Sequence, residues 1–348
     1  MRQHERGDAE IRRWLFVGAA SLFAAGSAGL GAYVFRVSSP SDGERAVVYL
    51  SPAASADVHA RPDLVVSVFR TQSKRVEEVA LETYVAGVVA GEMPASFSPE
   101  ALKAQAVAAR TYAVYRLGLA GTAAAKSALR DDDWDQVYHD ETVRRGKWGE
   151  AYPTYDEKVW AAVRATEGEI LTYNGAPAET LYFAVSNGQT DDARDVFGGD
   201  RPYLRSVPSP WDREAPTYHK VFRFPRPEAA KKLEVSADEL AQVAILEETA
   251  GKQVKRIRIG SREWNGKEVS RRLGLPSATF RLRVEGDAVV VDTYGQGHGV
   301  GMSQWGAERL ARGGKTYEAI LAYYYPATAL ARIGSSGSVA TRESPRTP

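Results

Sequence analysis

The chain has 348 residues, 44% of them hydrophobic, so it is long enough for one large or two ordinary domains with a normal apolar core. Its 45 Lys and Arg nearly cancel its 44 Asp and Glu, which excludes the global basic field of a nucleic-acid-binding protein. The absence of cysteine excludes disulfides, thiolate zinc sites and cysteine nucleophiles.

Residues 14–35 carry no charge and follow four arginines, which predicts a transmembrane helix with its N-terminal side in the cytoplasm. A cleaved signal peptide ending in the small residues 24–28 is the alternative. The apolar run continues past that point and therefore favours an uncleaved anchor. In either case the rest of the chain is expected outside the cytoplasm. We thus predict a cytoplasmic tip and anchor over 1–36, a polar linker over 37–45, one folded domain over 46–333 and a disordered tail over 334–348.

The folded region begins with three predicted strands, at 46–50, 64–70 and 75–80, followed by a helical core around 81–117. Its best-specified helix runs over 99–117, because Ser98 suits the N-cap, Pro99 the first turn and Glu100 the positive end of the helix dipole. The predicted buried stripe of this helix is Leu102, Ala106, Ala109, Ala113 and Leu117. Lys103, Gln105 and Arg110 lie off that stripe.

Glu92 is a lone carboxylate among apolar and small residues, just before Met93, Pro94 and the well-specified helix. An apolar setting raises a carboxyl pKa and makes a proton donor. The alternative is that Glu92 ends a buried helix and faces solvent. Spacing alone leaves both interpretations open.

The remaining elements alternate between helices and strands, and no internal repeat is present, which indicates a mixed α+β fold. We predict one domain with a helical catalytic core and a surrounding strand-rich lobe. The further predicted elements are a helix over 157–166 ending near Gly168, strands over 170–173 and 180–185, a helix over 237–248 capped by Ser236, a strand over 254–259, a turn region over 262–265, a hairpin over 280–285 and 288–292, and helices over 303–311 and 317–324.

Three other segments could carry chemistry. Residues 294–305 contain four alternating glycines and His298, so their backbone could approach a ligand or form a tight strand-to-helix crossing. They match neither a phosphate loop nor a dinucleotide fingerprint. Residues 186–190 form either a turn or a polar surface for a sugar-like ligand, and Tyr203 with Arg205 could share one cleft.

No histidine spacing predicts a metal site, and the aspartates of 131–135 with His139 are expected to form a solvated acidic loop. The basic stretch 255–283 is expected to be a solvated sheet face.

These segments, in this order, resemble the family of stage II sporulation protein D and the related amidase-enhancer proteins of the bacterial cell wall. The resemblance extends in pieces from about residue 81 to 328. It rests on the sequences LETYVAGV and EMP at 81–94, EALKAQAVAARTY at 100–112, QVY at 136–138, SNGQT at 186–190, PYL at 202–204, RLGLPS at 272–277 and GHGVGMSQ at 297–304.

The resemblance implies a lytic transglycosylase that cuts peptidoglycan between N-acetylmuramic acid and N-acetylglucosamine and leaves a 1,6-anhydro end. It implies Glu92 as the catalytic acid, with Arg110, Tyr203 and Arg205 in the site. Residues of the matching motifs complete the predicted substrate-binding set: Gln105, Ser186, His298 and Gln304. One carboxylate suffices in such a reaction, because the sugar's own 6-hydroxyl replaces the nucleophile that a hydrolase needs.

One departure from the family pattern concerns zinc, which some members bind through a Cys just before the QVY motif. Asp135 occupies that position here, so we predict no structural zinc and no cofactor. The expected partners are glycan strands, a cell-wall amidase and the membrane, with no nucleic acid. The alternative function is a non-catalytic glycan-binding protein that enhances a cell-wall amidase.

Overall fold

The computed structural model describes residues 33–37, 46–50, 64–118, 128–333 and 339–341. Most of the predicted anchor, linker and tail therefore lies outside the described residues. Residues 33–35 of the predicted anchor belong to a strand, and residues 339–341 of the predicted disordered tail form another. Within the described part of the chain, no helix combines the length and apolar character needed to cross a bilayer.

The described residues contain both helices and strands throughout. The helices are α1 (Leu81–Glu92), α2 (Pro99–Gly118), α3 (Glu141–Trp148), α4 (Tyr152–Ala165), α5 (Ala193–Phe197), α6 (Arg226–Leu233), α7 (Gly266–Leu273), α8 (Gln304–Arg312) and α9 (Tyr317–Tyr324). The strands are β1 (Tyr33–Val37), β2 (Ala46–Leu50), β3 (Val65–Arg70), β4 (Arg75–Ala80), β5 (Leu129–Arg130), β6 (Glu169–Tyr173), β7 (Ala176–Pro177), β8 (Tyr182–Phe183), β9 (His219–Pro225), β10 (Val243–Glu248), β11 (Val254–Ile259), β12 (Arg262–Asn265), β13 (Phe280–Glu285), β14 (Ala288–Tyr294), β15 (Met302–Ser303), β16 (Ala329–Ile333) and β17 (Val339–Thr341). The mixed α+β class is confirmed.

The chain divides into two compact units. The helical unit contains the described residues up to 181 and those from 310 onward, and the sheet unit contains residues 182–309. This division into compact units does not test whether residues 46–333 form one domain, which therefore stays a prediction.

Helix α2 is the centre of the helical unit, where it packs against α1, α4, β6 and α9. Neighbours on several sides bury Leu102, Ala106, Ala109 and Ala113, as predicted, while Leu117 is half-buried. They also bury Gln105 and Arg110 completely, so the expectation that these two lie off the buried surface was wrong. A single amphipathic stripe describes a helix packed on one face, and α2 is packed on most of its circumference.

Small sheets complete the helical unit, with strand orders β4-β3-β5, β17-β16-β6-β7 and β1-β2. The predicted strands at the start of the domain and the helices α2 and α9 are confirmed within a residue or two at each end. Helix α4 begins earlier than the predicted 157 because Pro153 fits its first turn. Helix α3 was not predicted, although Asp140 caps it by accepting from the Val143 N–H at 2.9 Å.

The sheet unit contains two three-stranded antiparallel sheets, β10-β11-β12 and β13-β14-β9, and the short parallel pair β8–β15. A shared core of apolar side chains includes Ile257, Trp264, Phe280 and Val291. The predicted hairpin of β13 and β14 is confirmed.

Three predictions in the sheet unit were wrong. Residues 237–248 form a short 3-10 turn and then β10, because Val243 and Ile245 pair with β11, and this tertiary pairing overrides local helix propensity. Residues 262–265 are a strand rather than a turn region. The strand predicted over 180–185 is reduced to β8, with Val185 in an isolated bridge to Gln296.

Candidate active site

Glu92 is the last residue of α1, and the proline two residues later explains why the helix ends there. The residue before a proline is driven into extended conformation, and Met93 adopts φ −124° and ψ 148°. Its N–H still donates to the Val89 carbonyl at 3.0 Å, and its side chain is fully buried. Thus Met93 and Pro94 stop the helix and hold the carboxylate of Glu92 at its carboxyl end.

The segment 136–139 crosses α1 at very short range, and two glycines one helical turn apart make this possible. A Cβ at Gly91 would lie 2.3 Å from the Val137 carbonyl oxygen, and one at Gly87 would lie 2.3 Å from the Tyr138 ring. The His139 N–H donates to the Gly87 carbonyl at 3.1 Å. Larger residues at either position would push this segment away from the helix.

The Glu92 carboxylate is fixed by that crossing segment. Its Oε1 accepts a hydrogen bond from the Val137 backbone N–H at 2.7 Å, and the residue is half-buried. Two residues earlier in α1, the Ala90 carbonyl accepts a hydrogen bond from Lys147 at 2.8 Å. Glu92 therefore combines both interpretations drawn from the sequence: it ends a buried helix, and its carboxylate is partly enclosed and held in one orientation.

The aspartates of 131–135 are not the simple solvated acidic loop that was expected. Asp131 pairs with Arg70, Asp132 with Arg130 and the buried Asp135 with Arg116, while Tyr112 also donates to Asp135 at 3.1 Å. Protein donors therefore engage the carboxylate that stands where some family members have a zinc-binding cysteine. Among the side chains that the structure describes, no group of three or more His, Asp or Glu is arranged to hold a metal ion. The absence of zinc stays a prediction.

Burial changes the expected chemistry of His139, which follows this acidic loop. Removal from water, with Lys147 nearby, lowers the pKa of His139 to about 4. The imidazole is therefore neutral at pH 7, consistent with its enclosed position beside the end of α1.

Arg110 lies inside the helical unit with its donors directed at the protein. Its guanidinium forms a bidentate ion pair with Glu82, in which Nε lies 2.8 Å from Oε1, and it also donates to the Glu169 carbonyl at 3.1 Å. These contacts tie α1, α2 and β6 together. Substrate binding by Arg110 stays a prediction, and it would require the pair with Glu82 to open. Gln105 is likewise fully buried in α2.

In the sheet unit, Ser186 faces a buried carboxylate. Asp212 accepts from the Ser186 N–H at 3.1 Å, from the Ser186 hydroxyl and from the Ser303 hydroxyl at 3.0 Å. Burial raises the pKa of Asp212 to about 6 even though these donors stabilise its ionised form. The polar segment 186–190 is thus hydrogen-bonded to other parts of the sheet unit, with Asn187 also donating to the Thr279 hydroxyl at 2.9 Å.

The glycine-rich loop of the sheet unit forms the tight crossing that was one of its two interpretations. A Cβ on Gly295, whose φ is 73°, would lie 2.7 Å from the Val185 carbonyl oxygen. His298 packs between the rings of Phe183 and Phe197, with centroids at 5.6 and 5.2 Å, and its Nδ1 accepts from the Val300 N–H at 3.1 Å. Burial lowers the pKa of His298 to about 4, so its ring is neutral at pH 7. Its predicted role in substrate binding is untested by these contacts.

Tyr203 is buried, whereas Arg205 is partly exposed and bridges Asp192 at 2.9 Å and Asp200 at 2.7 Å. Gln304 is buried at the start of α8. The predicted residues thus fall into separate places: Glu92 with segment 136–139, Arg110 with Glu82 and Glu169, Gln105 buried in α2, and Ser186, Tyr203, Arg205, His298 and Gln304 in the sheet unit. The basic stretch 255–283 is a surface in which most cations pair with acids, for example Lys255 with Glu247 at 2.7 Å.

Sequence reasoning missed the partners of these residues. Asp191 and Asp212 are buried carboxylates, and burial raises the pKa of each to about 6. Their proximity in sequence to the polar segment 186–190 and to a Pro-Ser-Pro-Trp turn was the available signal for them. The four-residue spacing of Gly87 and Gly91 was the signal for the segment that fixes Glu92.

Residues 70–173, which lie in the helical unit, match the family of stage II sporulation proteins. Stage II sporulation protein D of Bacillus subtilis (strain 168) is 43% identical over 292 residues, which are 82% of this chain and 85% of the relative. The protein of that name from Bacillus amyloliquefaciens is 42% identical over 75% of this chain and 76% of its own length. The amidase enhancer of Bacillus subtilis (strain 168) is 28% identical over 70% of this chain and 40% of the relative.

Proposed function

This chain belongs to the stage II sporulation protein D family, and we propose that it is a peptidoglycan lytic transglycosylase with Glu92 as its catalytic acid and base. The observation that carries the proposal is the Glu92 carboxylate itself. It is half-buried at the end of α1, and the Val137 N–H holds it in one orientation. A positioned carboxyl group at the boundary of protein and solvent can reach a polymeric substrate and still exchange protons with it.

In the proposed reaction, protonated Glu92 gives its proton to the glycosidic oxygen while the bond from that oxygen to C1 of N-acetylmuramic acid breaks. The 6-hydroxyl oxygen of the same sugar bonds to C1, and its proton passes to the Glu92 carboxylate. The products are a 1,6-anhydro end and a free 4-hydroxyl on N-acetylglucosamine. No water is consumed, and Glu92 ends protonated for the next cycle.

The other predicted residues would act on substrate binding. Arg205 is partly exposed, and in this proposal its guanidinium donates to acetamido or lactyl oxygens of the glycan. Tyr203 would contact a sugar ring. Arg110 would act mainly through the fold, because it ties α1 to α2 through Glu82.

The test is incubation of the full chain in mild detergent with glycan strands stripped of stem peptides, followed by mass analysis. Wild-type protein should produce anhydro-muramic ends, and Glu92→Gln should produce them about 10²–10⁴-fold more slowly. The exposed Glu157, which pairs with Arg164, provides the control Glu157→Gln with unchanged activity. Equal rates for the two variants would contradict the proposal.

Similarity to the amidase enhancer supports a second candidate, a protein that binds glycan and stimulates a cell-wall amidase. It predicts glycan binding by both wild type and Glu92→Gln without anhydro ends from either. Stimulation of a purified amidase by both proteins would favour this second function.

Either function requires the folded part of the chain to lie on the side of the membrane where peptidoglycan is found. We propose that residues 14–35 anchor the chain and that the folded part lies outside the cytoplasm. Protease added to intact cells should then degrade the folded part. Protection until the membrane is broken would contradict this orientation.

A further inference from the structure

Trp134 lies two residues before the segment 136–139, which holds Glu92, and its side chain is 43% exposed. The other large hydrophobic side chains with comparable exposure in the described ranges are aliphatic: Val76, Val143 and Val221. Single exposed hydrophobic residues are common, so exposure alone assigns nothing to Trp134. The surroundings of the indole carry the inference.

Trp134 and the residue after it are anchored by hydrogen bonds, so the exposed indole belongs to an ordered backbone. The Trp134 N–H donates to the Asp132 carboxylate at 3.2 Å, and the Asp135 N–H donates to the Asp132 carbonyl at 3.2 Å, forming a tight turn. Asp135 is buried and accepts from the Arg130 N–H at 2.8 Å and from Tyr112. The turn therefore presents the indole outward while it buries the residue that follows.

The residues that directly follow this turn contact α1 and Glu92. Gln136 accepts from the Tyr84 hydroxyl at 3.1 Å, and the Val137 N–H donates to Glu92 at 2.7 Å. Three residues of extended chain span at most about 11 Å, so the Cα atoms of Trp134 and Val137 are no farther apart than that. The exposed indole is thus fixed within a short distance of the candidate acid, in the same unit.

We infer that Trp134 forms a saccharide subsite, on which one pyranose ring of the glycan strand stacks while a neighbouring linkage lies at Glu92. A pyranose presents a face of C–H groups, which packs on the apolar face of an indole, while its hydroxyls stay in water. The Arg130 guanidinium lies over the indole, 6.0 Å from the ring centroid, and contributes to holding the ring in place. This inference rests on the proposed function, and it adds the residue that would set the register of the strand.

Binding is best measured in a Glu92→Gln background, where the glycan stays intact. Titration calorimetry with strands stripped of stem peptides should give a Kd about tenfold higher when Trp134→Ala is added. Trp134→Phe retains a flat ring and should change Kd less than about threefold. Val143→Ala, at a site 39% exposed on α3, is the matched control and should leave Kd unchanged.

In the otherwise wild-type enzyme, Trp134→Ala should raise KM about tenfold with kcat within about threefold, because a remote subsite contributes uniform binding. A Kd for Trp134→Ala within twofold of its parent would overturn the subsite and leave the proposed function standing. Glycan binding absent from the Glu92→Gln protein itself would overturn both. A fall in kcat alone, with thermal stability reduced, would indicate a structural role and also overturn the subsite.

Discussion

The carboxyl end of α1 and the glycine loop 294–301 are both crossings made possible by glycine, and they differ in the titrating group that each one positions. At α1, Gly87 and Gly91 admit the segment 136–139, and Glu92 at the rim stays half-buried. In the sheet unit, Gly295 lies against the Val185 carbonyl, and the half-buried His298 packs between two aromatic rings. A glycine-rich segment therefore marks a close approach of the backbone, and the partner can be the protein itself. The two sites differ in the chemistry of the titrating group: a carboxylate held by a backbone N–H at the end of α1, and an imidazole whose pKa is lowered to about 4 in the glycine loop.

The largest expected difference between these two regions is in activity. Glu92→Gln should lower the rate of anhydro-end formation by about 10²–10⁴-fold, because it removes the proton donor. His298→Gln should lower it less than about tenfold, because an imidazole with a pKa of about 4 is neutral at pH 7 and is then a very weak acid. Product analysis under single-turnover conditions measures both. A loss of the same size in a well-folded His298→Gln protein would place a catalytic group in the sheet unit.

The two predicted arginines give the next largest contrast, in stability. Arg110→Met leaves Glu82 without its partner and should lower the free energy of unfolding by about 3 kcal/mol. Arg205→Met removes partly exposed ion pairs and should cost less than about 1 kcal/mol, while raising KM if Arg205 binds glycan. Urea unfolding gives the first quantity and steady-state kinetics the second. Equal destabilisation by the two variants would contradict the structural role of Arg110.

Substituting Gly91 tests the crossing at α1 directly. Gly91→Ala places a Cβ against the Val137 backbone and should destabilise the protein by about 2 kcal/mol while weakening the hydrogen bond to Glu92. Gly146 in α3 has open space around its Cα, so Gly146→Ala should be stabilising by about 0.5–1 kcal/mol. Thermal unfolding of the two variants provides the comparison. A neutral Gly91→Ala would mean that the segment can move without cost.

Acid should affect the two units differently. In the helical unit, the pKa of His139 is lowered from 6.5 to about 4. Between these two values the unfolded chain binds a proton that the folded chain does not, so the free energy of unfolding falls as the pH falls, by about 2 kcal/mol at pH 5. In the sheet unit, His298 has the same effect. Asp191 and Asp212 oppose it, because their pKa values in the folded protein are raised to about 6 and the folded form therefore binds protons first. Each of the two raises the free energy of unfolding by about 1 kcal/mol when the pH falls from 7 to 5.

Hydrogen exchange measured segment by segment at pH 7 and pH 5, corrected for intrinsic rates, tests this contrast. We expect protection to fall in α1 and α2 and to stay nearly constant in β13 and β14. Asp212→Asn should remove part of the stabilisation of the sheet unit by acid, so that protection in β13 and β14 falls between pH 7 and pH 5. Protection unchanged by this substitution would contradict the raised pKa of Asp212.

Local patterns were sufficient for some elements of this fold. Ser98, Pro99 and Glu100 predicted the start of α2, and the hairpin of β13 and β14 followed from alternating apolar residues around a Gly-Asp turn. Patterns failed where pairing across the chain decided the outcome. Residues 237–248 were predicted to be a helix with Ser236 as its N-cap, whereas pairing with β11 makes Val243–Glu248 a strand.

The sequence by itself determined that Glu92 is a singular carboxylate followed by a proline that must end its helix, because both follow from residues adjacent in the chain. The family motifs are likewise a property of the sequence. Only the tertiary structure decided that Val137 holds the carboxylate, that Arg110 pairs with Glu82 and that His298 packs between two aromatic rings. Burial and hydrogen-bond partners depend on segments distant in sequence, and local spacing contains no information about which distant segment will arrive.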